Sequence, residues 1–366
     1  MRILFLSAAN SIHTIRWVNA LVERGHEVML VSKADHKVKG QLIDRQVKIT
    51  YLPVNGMKGY YLNALFLRKL YRDGCFNVVN AHYASGYGTL ARIAGLPNVL
   101  LSVWGSDVYD FPYENCLKKR ILEKNLDYAG GIASTSRGMA EQTKKFLKRK
   151  KSIWITPFGV DLHKFTPVYG GTEERKEFVF GTVKTLAPKY GIGTVIRAFG
   201  IFLQGLSEIE RQNVRLEIYG DGELRQELMA LAEELQLSDK VFFGGWIPND
   251  QVPKVLQGMD VFVIGSEKES ESFGVAAVEA MACVLPVVAT SVTGFREVVE
   301  DGKTGFLVAV GDTEGMARKM LELYGDKSLR ETMGKRGRKR MEALYGWDEC
   351  VEIMEGVYEE MSGERF

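Results

Sequence analysis

Two glutamates eight residues apart, Glu271 and Glu279, and two lysines five apart, Lys184 and Lys189, have the types and spacing to do chemistry together. The glutamates lie in residues 265–297. There, a strand-length apolar run at 261–264 leads through a loop holding Glu269, Glu271, Ser272 and Gly274. Residues 273–283, rich in Ala, Val, Glu and Met, read as a buried helix, and the β-branched run 285–289 reads as the next strand. The start of such a helix, at Phe273, Gly274 and Val275, presents N–H groups with no intrahelical acceptor and a partial positive charge, which suits an anion. At ~1.5 Å rise per residue the two glutamates would stand roughly 12 Å apart along a helix, a span for the ends of one long polar ligand. A diphosphate between a sugar and a ribose would use every part. A retaining glycosidase needs its two carboxyl groups roughly 5–5.5 Å apart, which helical spacing does not give. Lys184 and Lys189 follow the apolar run 178–183, where their charge can converge on the same diphosphate.

The elements that must hold these residues are read from alternating patterns. Apolar runs at 2–7, 26–32, 47–52, 78–81, 99–103, 131–134 and 153–155 are separated by helical stretches, such as 14–24 ending at Gly25. That alternation is an α/β, mainly parallel, doubly wound sheet. A connecting stretch runs from Thr156 through Pro167 and Gly170-Gly171, and a second alternating series begins at residue 178. The expected domains are residues 1–168 and 172–345. Ligands of such sheets bind beyond the carboxyl ends of the strands. The acceptor-side candidates are therefore Ser11 and His13, His82 with Tyr83 and Tyr87, and Trp104 with Asp107; each also has a plain reading as a cap or a packed residue. The loop from Ala8 to His13 contains no glycine, which argues against dinucleotide binding there. Gly220 and Gly222 permit either a close backbone approach or a tight turn.

The run ESFGVAAVEAMACVLPVVAT and its continuation TSVTGFREVVEDGKTGFLV resemble the signature of the retaining family-four, or group 1, glycosyltransferases. The resemblance implies the GT-B architecture, two Rossmann-like doubly wound domains facing across a cleft, with a last helix near 347–361 returning to the first domain through Trp347 and Tyr358. It implies transfer of a hexosyl or N-acetylhexosaminyl group from a nucleoside diphosphate sugar. Glu271 would hold sugar hydroxyls and Glu279 the ribose. Lys184, Lys189 and the helix start would stabilise the leaving diphosphate, and backbone groups at Ile247 would hold the base, with Trp246 beside it either stacking or packed in the core. The leaving phosphate itself would help deprotonate the acceptor. Lys184 stands where relatives carry an Arg, exchanging a planar fork for a point charge. Trp104 stands where many have a His, although its N–H and ring face still suit a sugar. Asp107 matches an acidic position. Phe158 replaces an Asn, and only Gly294 remains of a glycine pair. No cofactor is expected, and no metal: the chain has no Asp-x-Asp pair. A nucleotide-sugar 2-epimerase and a non-catalytic nucleotide-sugar-binding protein are the alternatives on the same architecture.

Composition sets the surroundings. The 366 residues are 46% hydrophobic and 26% charged, as in a soluble globular protein. Residues 1–150 hold 23 Lys and Arg against 11 Asp and Glu, whereas the remainder holds 25 against 35. Basic clusters at Lys118, Lys119, Arg120 and Lys124, and from Lys144 to Lys151 around Phe146 and Leu147, read either as solvated faces or as contacts to an anionic membrane or acceptor. The expected acceptor is a glycan, a lipid-linked or a small molecule, in polysaccharide or glycolipid synthesis. Nucleic acid is disfavoured because the clusters lack interleaved aromatics and a binding motif. Four scattered cysteines without metal spacing, with Cys283 expected in the core, and no membrane-length apolar run lead to the expectation of a cytoplasmic protein, peripheral on the inner face of the membrane.

Overall fold

The computed structural model describes every residue except 39, 41, 168–176 and 364–366, so Gly170 and Gly171 of the expected connection lie outside the described residues. The chain forms two units, Met1–Phe158 with Asp348–Phe366, and Gly159–Trp347. The second unit begins before residue 172 because its own helices bind the preceding segment. Val160 donates its N–H to the Tyr345 carbonyl (2.7 Å) and accepts from Trp347 (3.0 Å), while the Arg338 guanidinium donates to the carbonyls of Phe165 (2.6 Å) and Leu162 (3.2 Å).

Among the described residues the first unit has a seven-stranded parallel sheet of β1 (Arg2–Leu6), β2 (Glu27–Lys33), β3 (Lys48–Leu52), β4 (Val78–His82), β5 (Val99–Val103), β6 (Gly131–Ser134) and β7 (Ile153–Ile155), in the order β3-β2-β1-β4-β5-β6-β7. β4 and β5 are buried along their whole length, the reason they read as continuous apolar runs rather than alternating ones. The strand order reverses between β1 and β4, which places the loops after these two strands side by side.

The second unit repeats this plan with β8 (Phe178–Val183), β9 (Val214–Tyr219), β10 (Val241–Gly245), β11 (Val261–Ile264), β12 (Val287–Thr290) and β13 (Gly305–Val308), in the order β10-β9-β8-β11-β12-β13. Here the reversal lies between β8 and β11, paired at Val261–Phe180 and Phe262–Gly181. β12 starts two residues later than its apolar run, since Val284 adopts a φ of 67° and Pro286 has no N–H to give a ladder. The helix expected at 273–283 is shorter, Val275–Ala282, because Gly274 takes a left-handed φ of 87° at its start.

The helix Trp347–Ser362 completes the first unit from residue 348 onward. Tyr358 is fully buried there and its hydroxyl donates to Asn80 Oδ1 (3.2 Å), while Glu355 receives Arg24 (3.0 Å) and lies 2.7 Å from His26. Trp347 stays with the second unit. Among the described residues no helix is long and apolar enough to cross a membrane.

Candidate functional site

The β8–β11 reversal brings together the lysine loop and the glutamate loop. The lysine loop is laid down by Gly220 and Gly222: a Cβ on Gly220, which has a φ of 132°, would sit 1.9 Å from the Lys184 carbonyl oxygen, and one on Gly222 would sit 2.3 Å from that of Leu186. These glycines serve close approach. Lys184 then follows β8 with its Nζ 3.0 Å from Glu271 Oε2, both side chains largely buried. Lys189 donates to the Ser270 carbonyl (3.1 Å), and its own carbonyl accepts from Glu267 (2.9 Å). Both ammonium groups stand against the Tyr190 ring, 4.7 Å and 5.5 Å from its centroid. Burial raises the Tyr190 pKa, against the charge of Lys184 and with that of Glu271, so the ring is a neutral platform for two cations.

The glutamate loop is pinned from the other side. Glu269 accepts from the Thr293 N–H (2.9 Å), the Thr293 hydroxyl and the Arg296 guanidinium (2.9 Å). Burial pushes its carboxyl pKa up, but these hydrogen bonds and the Arg296 charge outweigh burial and hold it below the usual glutamate value. The Glu271 carbonyl accepts from Gly294 (2.9 Å). A Cβ on Gly294 would fall 2.6 Å from the Phe273 backbone and 2.7 Å from that carbonyl, which explains the one glycine kept. Gly294→Ala is expected to cost roughly 1–3 kcal/mol of stability by overpacking this loop, measured by denaturant unfolding; wild-type stability would show that the loop yields freely.

Ala277 and Val278 donate to the Gly274 carbonyl, so Val275 and Ala276 supply the first-turn N–H groups without an intrahelical acceptor. Glu279 is half-buried on the fifth residue of the helix. Glu271 is not helical, and this corrects the spacing expected from sequence: helical rise spans only residues 275–279 of the interval. Ile247 follows β10 half-buried, and Trp246 is 71% exposed, which removes the core-packing reading for that indole.

In the first unit the strand ends carry an aromatic cluster. Trp104, after β5, meets the rings of His82 (4.7 Å), Tyr83 (5.3 Å), Phe158 (5.4 Å) and His13 (5.8 Å). His13 stacks on Phe158 at 4.0 Å, and Ser11 sits half-buried just before the helix Ile12–Glu23 without a side-chain capping bond. Three expectations need correction here. His82 is fully buried and stacked on Phe5 at 4.1 Å; burial pushes its pKa down to about 3, and neither ring nitrogen has a hydrogen-bond partner among the described residues, so it is a neutral core ring out of reach of an acceptor. Asp107 is buried too, accepting from the N–H groups of Ala84 (2.8 Å), Gly105 (2.9 Å) and Trp104 (3.1 Å). Its carboxylate ties the loops after β4 and β5 to each other and is not presented to a ligand. The Tyr87 hydroxyl is committed to His36 Nδ1 (2.9 Å), the Lys33 N–H (3.2 Å) and Ser32 (3.3 Å).

Beside this cluster lies a cavity of about 460 Å³ walled by Tyr60, Tyr61, Tyr83, Tyr87 and Phe111. Tyr83 enters it from a φ of 68°, rare for a residue with a side chain, at the start of the π-helical turn Tyr83–Tyr87. The basic cluster after Lys144 does not offer the apolar contact expected of it. Phe146 is buried edge-on to Tyr113, Lys144 pairs with Glu141 (2.6 Å), and Lys151 donates to the Asp127 (2.5 Å) and Ala129 carbonyls. Among the described residues no group of three or more His, Cys, Asp and Glu is placed to hold a metal ion. Sequence reasoning passed over Tyr190 and Glu269 as site residues, although each adjoins a residue it chose: Tyr190 follows Lys189, and Glu269 precedes Glu271 by two.

Two parallel, doubly wound units with a charged loop pair at the strand reversal of the second define the GT-B class of glycosyltransferases. Sucrose-phosphate synthase from Thermosynechococcus elongatus shares the fold over 99% of both chains, with a TM-score of 0.85 at 18% identity. The structure of HepE from Anabaena in complex with UDP matches 99% of this chain and 100% of its own, with a TM-score of 0.80 at 18% identity. The family model of the glycosyl transferases group 1 matches residues 171–340, and that of the glycosyl transferase 4-like proteins residues 2–136. N-acetyl-alpha-D-glucosaminyl L-malate synthase of Bacillus anthracis is 25% identical over 356 residues, 92% of this chain and 90% of that protein. The chain belongs to the group 1 glycosyltransferases.

Proposed function

We propose that this glycosyltransferase takes its sugar from a nucleoside diphosphate sugar and transfers it with retention of anomeric configuration, without a metal ion. The reading is carried by one observation, the meeting of Lys184, Lys189 and Glu271 at the β8–β11 reversal beside the start of the helix Val275–Ala282. In the reaction the bond from the anomeric carbon to the diphosphate oxygen breaks and a bond from that carbon to the acceptor oxygen forms on the same face. The acceptor proton passes to the departing phosphate oxygen. Negative charge grows on the diphosphate as the sugar becomes oxocarbenium-like, and two ammonium groups with the Val275 and Ala276 N–H groups meet that charge. Glu271 turns from Lys184 to the sugar hydroxyls, Glu279 takes the ribose hydroxyls, and backbone groups at Ile247 take the base. The cavity walled by Tyr60, Tyr61 and Tyr83 accepts the second substrate, whose ring or chain the aromatic faces cover. Trp104 and His13 border the acceptor, and Asp107 ties the Trp104 loop to the loop after β4.

A thermal-shift screen of chelator-treated protein against UDP, GDP, ADP and their sugar conjugates tests the donor half. UDP comes first, since it stands in the HepE structure. A ligand specific to the folded state adds about 2.7 kcal/mol at a hundredfold excess over its Kd, so one nucleotide family should raise the melting temperature clearly with chelator present. No rise with any of them would overturn the reading, and a rise that chelator abolishes would overturn the metal-free part of it.

A further inference from the structure

The first unit carries an apolar surface that its own core does not explain. In the helices Gly56–Leu62 and Ala64–Gly74, Ala64 and Leu67 face the core, whereas Met57 (65% exposed), Leu62 (65%), Leu65 (75%) and Phe66 (44%) face outward. Asn63 between the helices keeps an αR conformation, so Leu62, Leu65, Phe66 and Lys69 follow helical spacing down one side. A second ridge stands at Tyr113 (64%), in the short helix Phe111–Glu114, and Leu117 (68%), at the start of the helix Cys116–Tyr128. The two ridges belong to one face, because Met57 and Tyr61 from the first and Phe111, Lys118 and Ile121 beside the second line the same 460 Å³ cavity. Exposed cations accompany the apolar side chains on both: Lys58, Lys69 and Arg72 on the first, Lys119, Arg120 and Lys124 on the second. Across residues 56–73 and 113–124, eight Lys and Arg stand against three Asp and Glu.

We infer that this face docks on an anionic lipid bilayer, its leucines and aromatics entering the headgroup boundary and its cations meeting lipid phosphate, so that the cavity receives an acceptor carried in that membrane. Apolar residues at these exposures with a basic surround are what interfacial binding requires, and the charge selects an anionic surface over a neutral protein partner. The basic cluster from Lys144 to Lys151, with Phe146 withdrawn into the core, lacks the apolar half. The link to the acceptor rests on the transfer reading above; the docking does not.

Flotation with phosphatidylcholine vesicles, with and without about 30% phosphatidylglycerol, tests it at low and high salt. The wild-type chain should bind the anionic vesicles and lose affinity as salt rises. Leu65→Glu with Phe66→Glu, and separately Lys119→Glu with Arg120→Glu, should each weaken binding on the order of tenfold or more, while Lys144→Glu with Lys145→Glu leaves it unchanged. An unaltered melting temperature and nucleotide shift in each variant would show that it is folded. Absence of wild-type binding, or equal binding by the Leu65/Phe66 and Lys119/Arg120 variants, overturns the inference. So does a wild-type dimer in light scattering that Leu65→Glu with Phe66→Glu converts to monomer, which would make the face a contact between two copies. Vesicle binding is read without turnover, so either result leaves the nucleotide-sugar reading to its own test.

Discussion

Glu271→Ala is expected to reduce transfer by roughly two to three orders of magnitude while the affinity for the nucleoside diphosphate stays within a few-fold. The size follows from what is lost: a hydrogen-bonding partner that orients the sugar as its anomeric bond breaks, where misplacement by about 1 Å costs on the order of a hundredfold. The nucleotide is held elsewhere in the proposed site, at Glu279, Ile247 and the helix start, so binding should survive. There is a second effect on the same residue. In the ligand-free protein Glu271 is the counter-ion of Lys184 at 3.0 Å, and the alanine variant leaves that ammonium without its carboxylate. Free nucleoside diphosphate is expected to be held slightly more tightly as a result, because Lys184 no longer has to leave a partner. Transfer at the wild-type rate would remove Glu271 from the reaction. Steady-state kinetics with titration calorimetry of the diphosphate separates the two quantities.

Alanine at Lys184 or Lys189 should act on the other side of the ledger, lowering kcat/KM by roughly 10²–10³-fold each and weakening the diphosphate as well, since removal of one group aimed at developing charge costs that much. The two positions should differ in stability. Lys189 bonds a backbone carbonyl, whereas loss of Lys184 strands a largely buried Glu271 carboxylate. The Lys184→Ala protein should therefore melt below the Lys189→Ala protein, and adding Glu271→Gln should restore part of the difference, a coupling that a double-mutant cycle measures. Additive melting temperatures would mean that the 3.0 Å pair contributes nothing to the fold.

The architecture could be read in the sequence because a strand covered on both faces, such as β4, β5 or β11, leaves an uninterrupted apolar run. The glutamate signature and the lysine spacing could be read because each is local. What could not be read depends on residues distant in the chain. Lys184 and Glu271 are brought together by the β8–β11 pairing, and no local pattern says that they neutralise each other. Asp107 looked available because one of the N–H groups that its carboxylate accepts from, that of Ala84, comes from another strand's loop. Phe146 lay among lysines and read as exposed, yet Tyr113 packs against it. In residues 57–66 Ala64 is buried while Met57, Leu62, Leu65 and Phe66 face outward. Periodicity shows that a helix has an apolar side; it does not say what covers that side.

The return of the helix Trp347–Ser362 to the first unit has a consequence for how the chain is made. Asn80, Arg24 and His26 wait for Tyr358 and Glu355, which the ribosome adds only after the whole of Gly159–Trp347. The first unit, although synthesised first, is the second to be finished, against the usual N-terminal-first order of domain folding on the ribosome. During synthesis the buried pocket for Tyr358 stays open to chaperones and proteases while the second unit already has all of its residues. A nascent chain stopped after residue 347 would thus be half an enzyme of an unexpected kind, with the later-made half mature.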